Sequence, residues 1–88
     1  MKGFVKTKVV DENLEPLVAI VAVVKDGEVI DSAVTDRDGV CNFMVNPNTY
    51  RLTALKRHYV PEHKMVEVVS GKVRRVGFKL DLQVSIEE

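Results

Sequence analysis

The stretch Leu17-Val18-Ala19-Ile20-Val21-Ala22-Val23-Val24-Lys25-Asp26-Gly27-Glu28-Val29-Ile30-Asp31-Ser32-Ala33-Val34 decides the fold. From Leu17 to Val24 the run is unbroken, apolar and rich in Val, too short for an isolated helix and well suited to a strand. Lys25-Asp26-Gly27-Glu28 follows. An Asp-Gly pair between two apolar runs supplies the positive φ values of a type I′ hairpin turn. A second strand then runs from Val29 to about Thr35.

Working outward, the pattern stays at period two. Val5, Thr7 and Val9 alternate with Lys6 and Lys8, a half-buried strand. Asp11 to Pro16 is turn-forming, and Pro16 delays regular pairing. After the hairpin come the turn Asp36-Arg37-Asp38-Gly39, a strand from Val40 to Val45, and the turn Asn46-Pro47-Asn48. Tyr50, Leu52 and Ala54 alternate with Arg51, Thr53 and Leu55 in a fifth strand. Lys56 to Lys64, with Pro61, reads as an irregular connection. Met65 to Val69 and Val73 to Leu80 read as a last hairpin around Ser70-Gly71-Lys72. Seven short strands separated by turn signals predict an all-β domain, a seven-stranded Greek-key β-sandwich of immunoglobulin-like kind over residues 1–80. Residues 81–88 form a tail in which Leu82, Val84 and Ile86 continue the alternation of Val76, Phe78 and Leu80. Either the tail frays, or it extends the last strand onto another chain or a following domain.

Composition narrows the class. With 88 residues the chain holds one core, and 45% apolar against 30% charged residues is a globular balance, not a disordered one. Thirteen Lys and Arg offset thirteen Asp and Glu, so net charge gives no global pull toward nucleic acid or an anionic membrane. A lone Cys41 makes no internal disulfide. No run approaches the roughly 20 apolar residues of a membrane span, so no membrane partner is expected. The opening Met1-Lys2-Gly3-Phe4-Val5-Lys6-Thr7-Lys8 lacks a signal-peptide core. As it stands this points to a cytoplasmic start, although an excised domain with an added Met reads the same.

The turns carry a resemblance. Asp11-Glu12-Asn13-Leu14-Glu15-Pro16-Leu17 is similar to Asp-x-Asn-Gly-x-Pro-Leu, and Thr35-Asp36-Arg37-Asp38-Gly39-Val40-Cys41-Asn42-Phe43 to Thr-Asp-x-x-Gly-x-Phe-x-Phe. Asn46-Pro47-Asn48-Thr49-Tyr50-Arg51-Leu52 is similar to Pro-x-Gly-Thr-Tyr-x-Leu, and Tyr59 falls at a Gly-Tyr place. Together these resemble the carboxypeptidase regulatory-like domain, grouped with collagen-adhesin B-type repeats and the transthyretin-like, prealbumin-like sandwich. Leu14, Asn48 and His58 stand where that family has Gly at positive φ; Leu14 tolerates this poorly, so a rearranged first turn is expected. The resemblance implies an accessory module of larger proteins, with family members often extracellular.

The resemblance also names chemistry to look for. Some relatives cross-link themselves through an isopeptide bond between a buried Lys on the first strand and an Asn on the last, aided by a carboxyl group. Here Ala54 takes the carboxyl place and no Asn follows Asn48. Hydroxyisourate hydrolases of the transthyretin type end in Tyr-Arg-Gly-Ser, whereas this chain ends Val84-Ser85-Ile86-Glu87-Glu88. His58, Glu62 and His63 share one segment with no recognised metal spacing, and Tyr50, Tyr59, His58 and His63 match the two-Tyr, two-His iron set of related dioxygenases only as a count. Asp36 and Asp38 are explained by turn capping rather than by calcium. Cys41 lacks a Cys/His/Asn constellation and reads as a small buried hydrophobe. No catalytic residue, metal or cofactor is expected.

Two surfaces remain. Residues 51–79 hold eight basic and two acidic side chains, and Arg51, Lys56, Arg57, Lys72, Arg74, Arg75 and Lys79 form a candidate basic face for an acidic protein partner or a glycan. Nucleic acid is disfavoured because no aromatic residues interleave the cluster. Val18, Val21 and Val23, with Leu82, Val84 and Ile86 of the tail, form a candidate apolar interface for self-association or docking, unless local twist and long neighbouring side chains cover them. The expected function is a non-catalytic accessory or interaction module. The alternatives are a structural subunit assembled through its C-terminal strand, or a transthyretin-like hydrolase.

Overall fold

The structure is a computed structural model that describes residues 1–83. Its strands are β1 (Gly3–Asp11), β2 (Ile20–Lys25), β3 (Glu28–Val34), β4 (Val40–Val45), β5 (Asn48–Leu55), β6 (Glu62–Val68) and β7 (Val73–Leu80). They form two sheets, one ordered β4-β1-β7 and the other β3-β2-β5-β6. β1 and β7 pair in parallel and every other pair is antiparallel. No helix occurs among the described residues. The chain is the all-β sandwich its alternation predicts.

The hairpin at its centre forms as the Asp-Gly pair dictates. Asp26 and Gly27 both have positive φ, 53° and 80°, the type I′ signature. The final hairpin does not form. β6 hydrogen-bonds to β5 and β7 to β1, so the turn at Ser70-Gly71-Lys72 carries the chain from one sheet to the other. A tight turn between two alternating runs looks the same whether they pair or cross the sandwich. Glu62 to Lys64, expected in the connection, belong to β6, and Asn48 opens β5 instead of lying in the turn.

The first turn also departs from expectation. Leu14 adopts φ of 63°, as His58 does at 74°, so the turn keeps its left-handed residue rather than rearranging. The Asp11 carboxylate holds it: Oδ1 accepts the amides of Asn13 at 2.8 Å and Glu15 at 2.9 Å. Asp36 repeats the device, accepting Asp38 N at 2.9 Å and Val40 N at 3.0 Å. Both aspartates act as Asx caps.

Leu17 to Ala19 is not yet strand, which corrects the expected start of the second strand. Its backbone is satisfied by Thr35, whose buried hydroxyl accepts Ala19 N at 2.8 Å and donates to the Leu17 carbonyl at 2.6 Å. Val21 and Val23 then pair with Ala54 and Leu52 of β5, all four fully buried. Between the sheets Val5, Val9, Phe43, Phe78 and Leu80 complete the core. Each such side chain contributes about 1.5–3 kcal/mol when removed from water. Tyr50 is buried with its hydroxyl donating to the Asn46 carbonyl at 2.5 Å, pinning the preceding turn to β5.

Candidate functional site

The two sheets leave two outer faces. On the three-stranded sheet, register places Met44, Phe4 and Val73 in one row, Asn42, Lys6 and Arg75 in the next, and Val40, Lys8 and Gly77 in a third. Val10 and Lys79 follow. Lys6, Lys8, Arg75 and Lys79 are all exposed. A basin of about 390 Å³ is lined by Lys6, Lys8, Val40, Arg75, Val76 and Gly77. A second, of about 270 Å³, is lined by Lys8, Val10, Lys64, Gly77, Phe78 and Lys79. The basins share Lys8 and Gly77, and among the described residues no carboxylate lines either.

On the four-stranded sheet the outward row Val34, Ile20 and Leu55 is apolar and partly exposed, as are Val29 and Met65 on the edge strands. Ala22 and Val24 face the same way but lie only 7% exposed beneath their neighbours. Val21 and Val23, placed on this face from the sequence, are instead in the core. An unbroken apolar run carries no parity, and parity is fixed by pairing with the inward-facing Leu52 and Ala54. Val18 is half-exposed and adjoins the apolar row, joining Ile20, Val34, Leu55, Lys56 and Arg57 around a basin of about 180 Å³. Lys56 Nζ donates to the Val18 carbonyl at 2.8 Å. Leu82 is 49% exposed and bridges to Tyr59; Val84 and Ile86 lie outside the described residues.

The expected basic face is therefore not one face. Arg51 lies on the four-stranded sheet opposite Val24 and Met65, and Lys56 and Arg57 lie at its end. Lys72 is in the crossing turn. Arg74 sits across the gap between the sheets, its Nε donating to the Glu67 carbonyl at 3.0 Å. Of the seven, Arg75 and Lys79 alone lie on the outer face of the three-stranded sheet, and they share it with Lys6 and Lys8, which composition by segment missed. The signal that would have found them is parallel pairing of the first and last strands.

Lys6 and Lys8 point outward, while the inward residues of β1 are Val5, Thr7 and Val9, so neither lysine is positioned as a buried isopeptide nucleophile. His63 Nδ1 is 2.9 Å from the Thr53 hydroxyl on the outer face. Among the described residues no group of three or more His, Cys, Asp or Glu could hold a metal ion. Cys41 is buried opposite Thr7, and burial pushes its thiol up to about 11, with the Asp36 carboxylate adding to the rise. A thiol so protonated is not an activated nucleophile. The Thr7 hydroxyl itself is buried without a hydrogen-bond partner. No helix is long and apolar enough to cross a membrane among the described residues.

No family model matches the chain, and no curated protein matches its sequence. Solved structures do match its shape. The Bacillus anthracis TIE protein superposes with a TM-score of 0.77 at 20% identity, over 92% of this chain and 16% of that one. BcpA, the major pilin subunit of Bacillus cereus, gives 0.77 at 20% identity, over 91% of this chain and 29% of the other. GBS52, the minor pilin of Streptococcus agalactiae, gives 0.72 at 17% identity, over 99% of this chain and 47% of the other. The chain thus spans less than half of each of these proteins, and at such identities what it shares with them is the β-sandwich fold.

Proposed function

We propose that this domain is a non-catalytic module for protein–protein assembly, of the kind that builds or supports pilin-type surface structures. The observation that carries this reading is the uncovered apolar face of the four-stranded sheet, where Ile20, Val34, Leu55 and Val29 lie open to solvent on a pilin-like sandwich. Contiguous exposed apolar surface of this sort marks contact with another protein. The raised thiol of Cys41 and the outward lysines favour a binding role over a catalytic one. A carboxypeptidase regulatory-like assignment fits the same residues: Asp11 and Asp36 cap the two motif turns, and Tyr50 anchors the third.

The test is mass in solution by light scattering on a size-exclusion column at two protein concentrations. The expected result is a dimer or larger species at the higher concentration, dissociated by replacing Ile20 and Val34 with Lys. A monomer at both concentrations overturns self-assembly through this face.

A further inference from the structure

The groove across the three-stranded sheet has features that the fold does not require. Gly77 lies inside β7, where a strand loses side-chain packing and backbone entropy by having glycine. Its φ lies outside the left-handed region, and a Cβ built on it meets nothing within 4 Å. Gly3 in the same sheet is different: a Cβ there would lie 2.6 Å from the Val69 carbonyl oxygen, so packing demands glycine. Among the described residues nothing demands it at position 77.

The charges around Gly77 are equally unhelpful to folding. Lys6 and Arg75 are direct register partners in the β1–β7 pair, and like charges placed opposite each other destabilise a sheet. Lys8, Lys79 and Lys64 extend the cluster along both basins. Unexplained glycine and like charge coincide at one groove, which no carboxylate of the described residues lines. Local rules broken together mark a functional site.

The geometry points to this groove as a binding site for an extended, acidic polypeptide segment with carboxylates on alternate residues, an inference that rests on the assembly reading above and names the partner's chemistry. Lys6 and Lys8 stand two positions apart on β1, and alternate residues of an extended chain recur at about 7 Å, the same spacing. Gly77 lets the partner's backbone approach the sheet. The row Phe4, Met44 and Val73 beside Lys6 offers an apolar anchor at one end. Successive stacked bases or sugar rings find no run of platforms: Phe78 is buried, with the Lys64 ammonium 5.7 Å from its ring centre, and Phe4 stands alone at the end of the groove.

The test is fluorescence anisotropy with a labelled synthetic peptide of repeating Glu-Thr, alongside heparin and an oligo-dT of matching charge. The expected result is salt-sensitive binding of the peptide, tighter than that of either other probe. Gly77→Val, which fills the groove with a strand-favouring side chain, is expected to keep the far-UV circular dichroism and melting temperature while abolishing binding. Arg75→Glu is expected to weaken binding by about tenfold or more, the value of one charge-assisted hydrogen bond. Failure of the peptide to bind overturns the proposal, as does undiminished binding to a folded Gly77→Val, and tighter binding of heparin or oligo-dT overturns the acidic-polypeptide assignment. Light scattering on the same samples keeps the readings apart, since a monomer that binds the peptide fails only self-assembly through the apolar face.

Discussion

On the three-stranded sheet the outward positions are held by Lys6, Lys8, Arg75, Gly77 and Lys79, whereas on the four-stranded sheet Ile20, Ala22, Val24, Val34 and Leu55 take the same role. Both faces arise from period-two alternation, and both turn their other side to one core. The difference lies in what alternates with the core residues. In the middle of β1 and β7 it is chiefly Lys and Arg, between Phe4 and Val73 at one end and Val10 at the other, and solvent accepts those charges without any cover. In β2 it is Ile, Ala and Val, which only partial covering by neighbours keeps from water. One sandwich therefore offers two unlike surfaces, and each can be changed without touching the other.

The largest effect should come from the side the two sheets share. Phe78 is on β7 but is 2% exposed in a core built equally by β2 and β5. Phe78→Ala is expected to cost about 3–5 kcal/mol, much of the stability of a domain this size. Urea unfolding followed by circular dichroism and by amide exchange should show one transition shifted for both sheets. Loss of protection in β1, β4 and β7 alone would mean that the two layers melt separately, and the comparison would then be between two units rather than two faces.

An intermediate effect should follow pH. Cys41 faces inward from the basic sheet, yet its thiol is raised from 9.0 to about 11, chiefly by burial and then by Asp36. The cations outside the sheet do not reverse this. In the unfolded chain the thiol ionises near its ordinary value while the folded protein still holds its proton, so the folded state binds more protons in that window. Stability attributable to Cys41 is therefore present below pH 9 and is lost as pH rises toward 11, by at most about 1.4 kcal/mol per pH unit. Urea titrations of the wild type and Cys41→Ala between pH 8 and 10.5 check this. Equal pH slopes would mean that the outer charge does reach through the sheet.

Much of this architecture was legible in the residues. Asp26-Gly27 dictated the hairpin, Asp11 and Asp36 their turns, and the alternation around Tyr50 the burial of Leu52 and Ala54. What stayed hidden was relational. The run from Leu17 to Val24 has no polar residue to report which side faces in, so Val21 and Val23 could not be told from Ala22 and Val24. The Ser70-Gly71-Lys72 turn has the same signature for a hairpin as for a crossing between layers. Taking it as a hairpin paired β7 with β6 instead of β1, which separated Arg75 and Lys79 from Lys6 and Lys8. It also joined them to Arg51 and Lys56, which belong to the opposite side. The basic groove was visible as charge and invisible as a place.

The smallest expected effect is the sharpest on the outer face itself. Lys6→Glu puts a carboxylate directly across the β1–β7 pair from Arg75. An opposite-charge pair replaces a like-charge one at an exposed site, so the substitution should stabilise the domain by about 0.2–1 kcal/mol. The gain should shrink when salt is raised, because both side chains are in water and screening acts on exposed charges first. The corresponding change on the other sheet, Val34→Glu, meets no cation in its register partner Ile20 and reaches only Lys56 and Arg57 at the rim of the same basin, so its salt-dependent gain should be the smaller of the two. Urea midpoints for both variants at low and high ionic strength decide the matter. A Lys6→Glu domain less stable than wild type, or one indifferent to salt, would show that Lys6 and Arg75 do not sense each other. The cost assigned to the basic groove would then vanish, and with it the reason for expecting an anionic partner to relieve it.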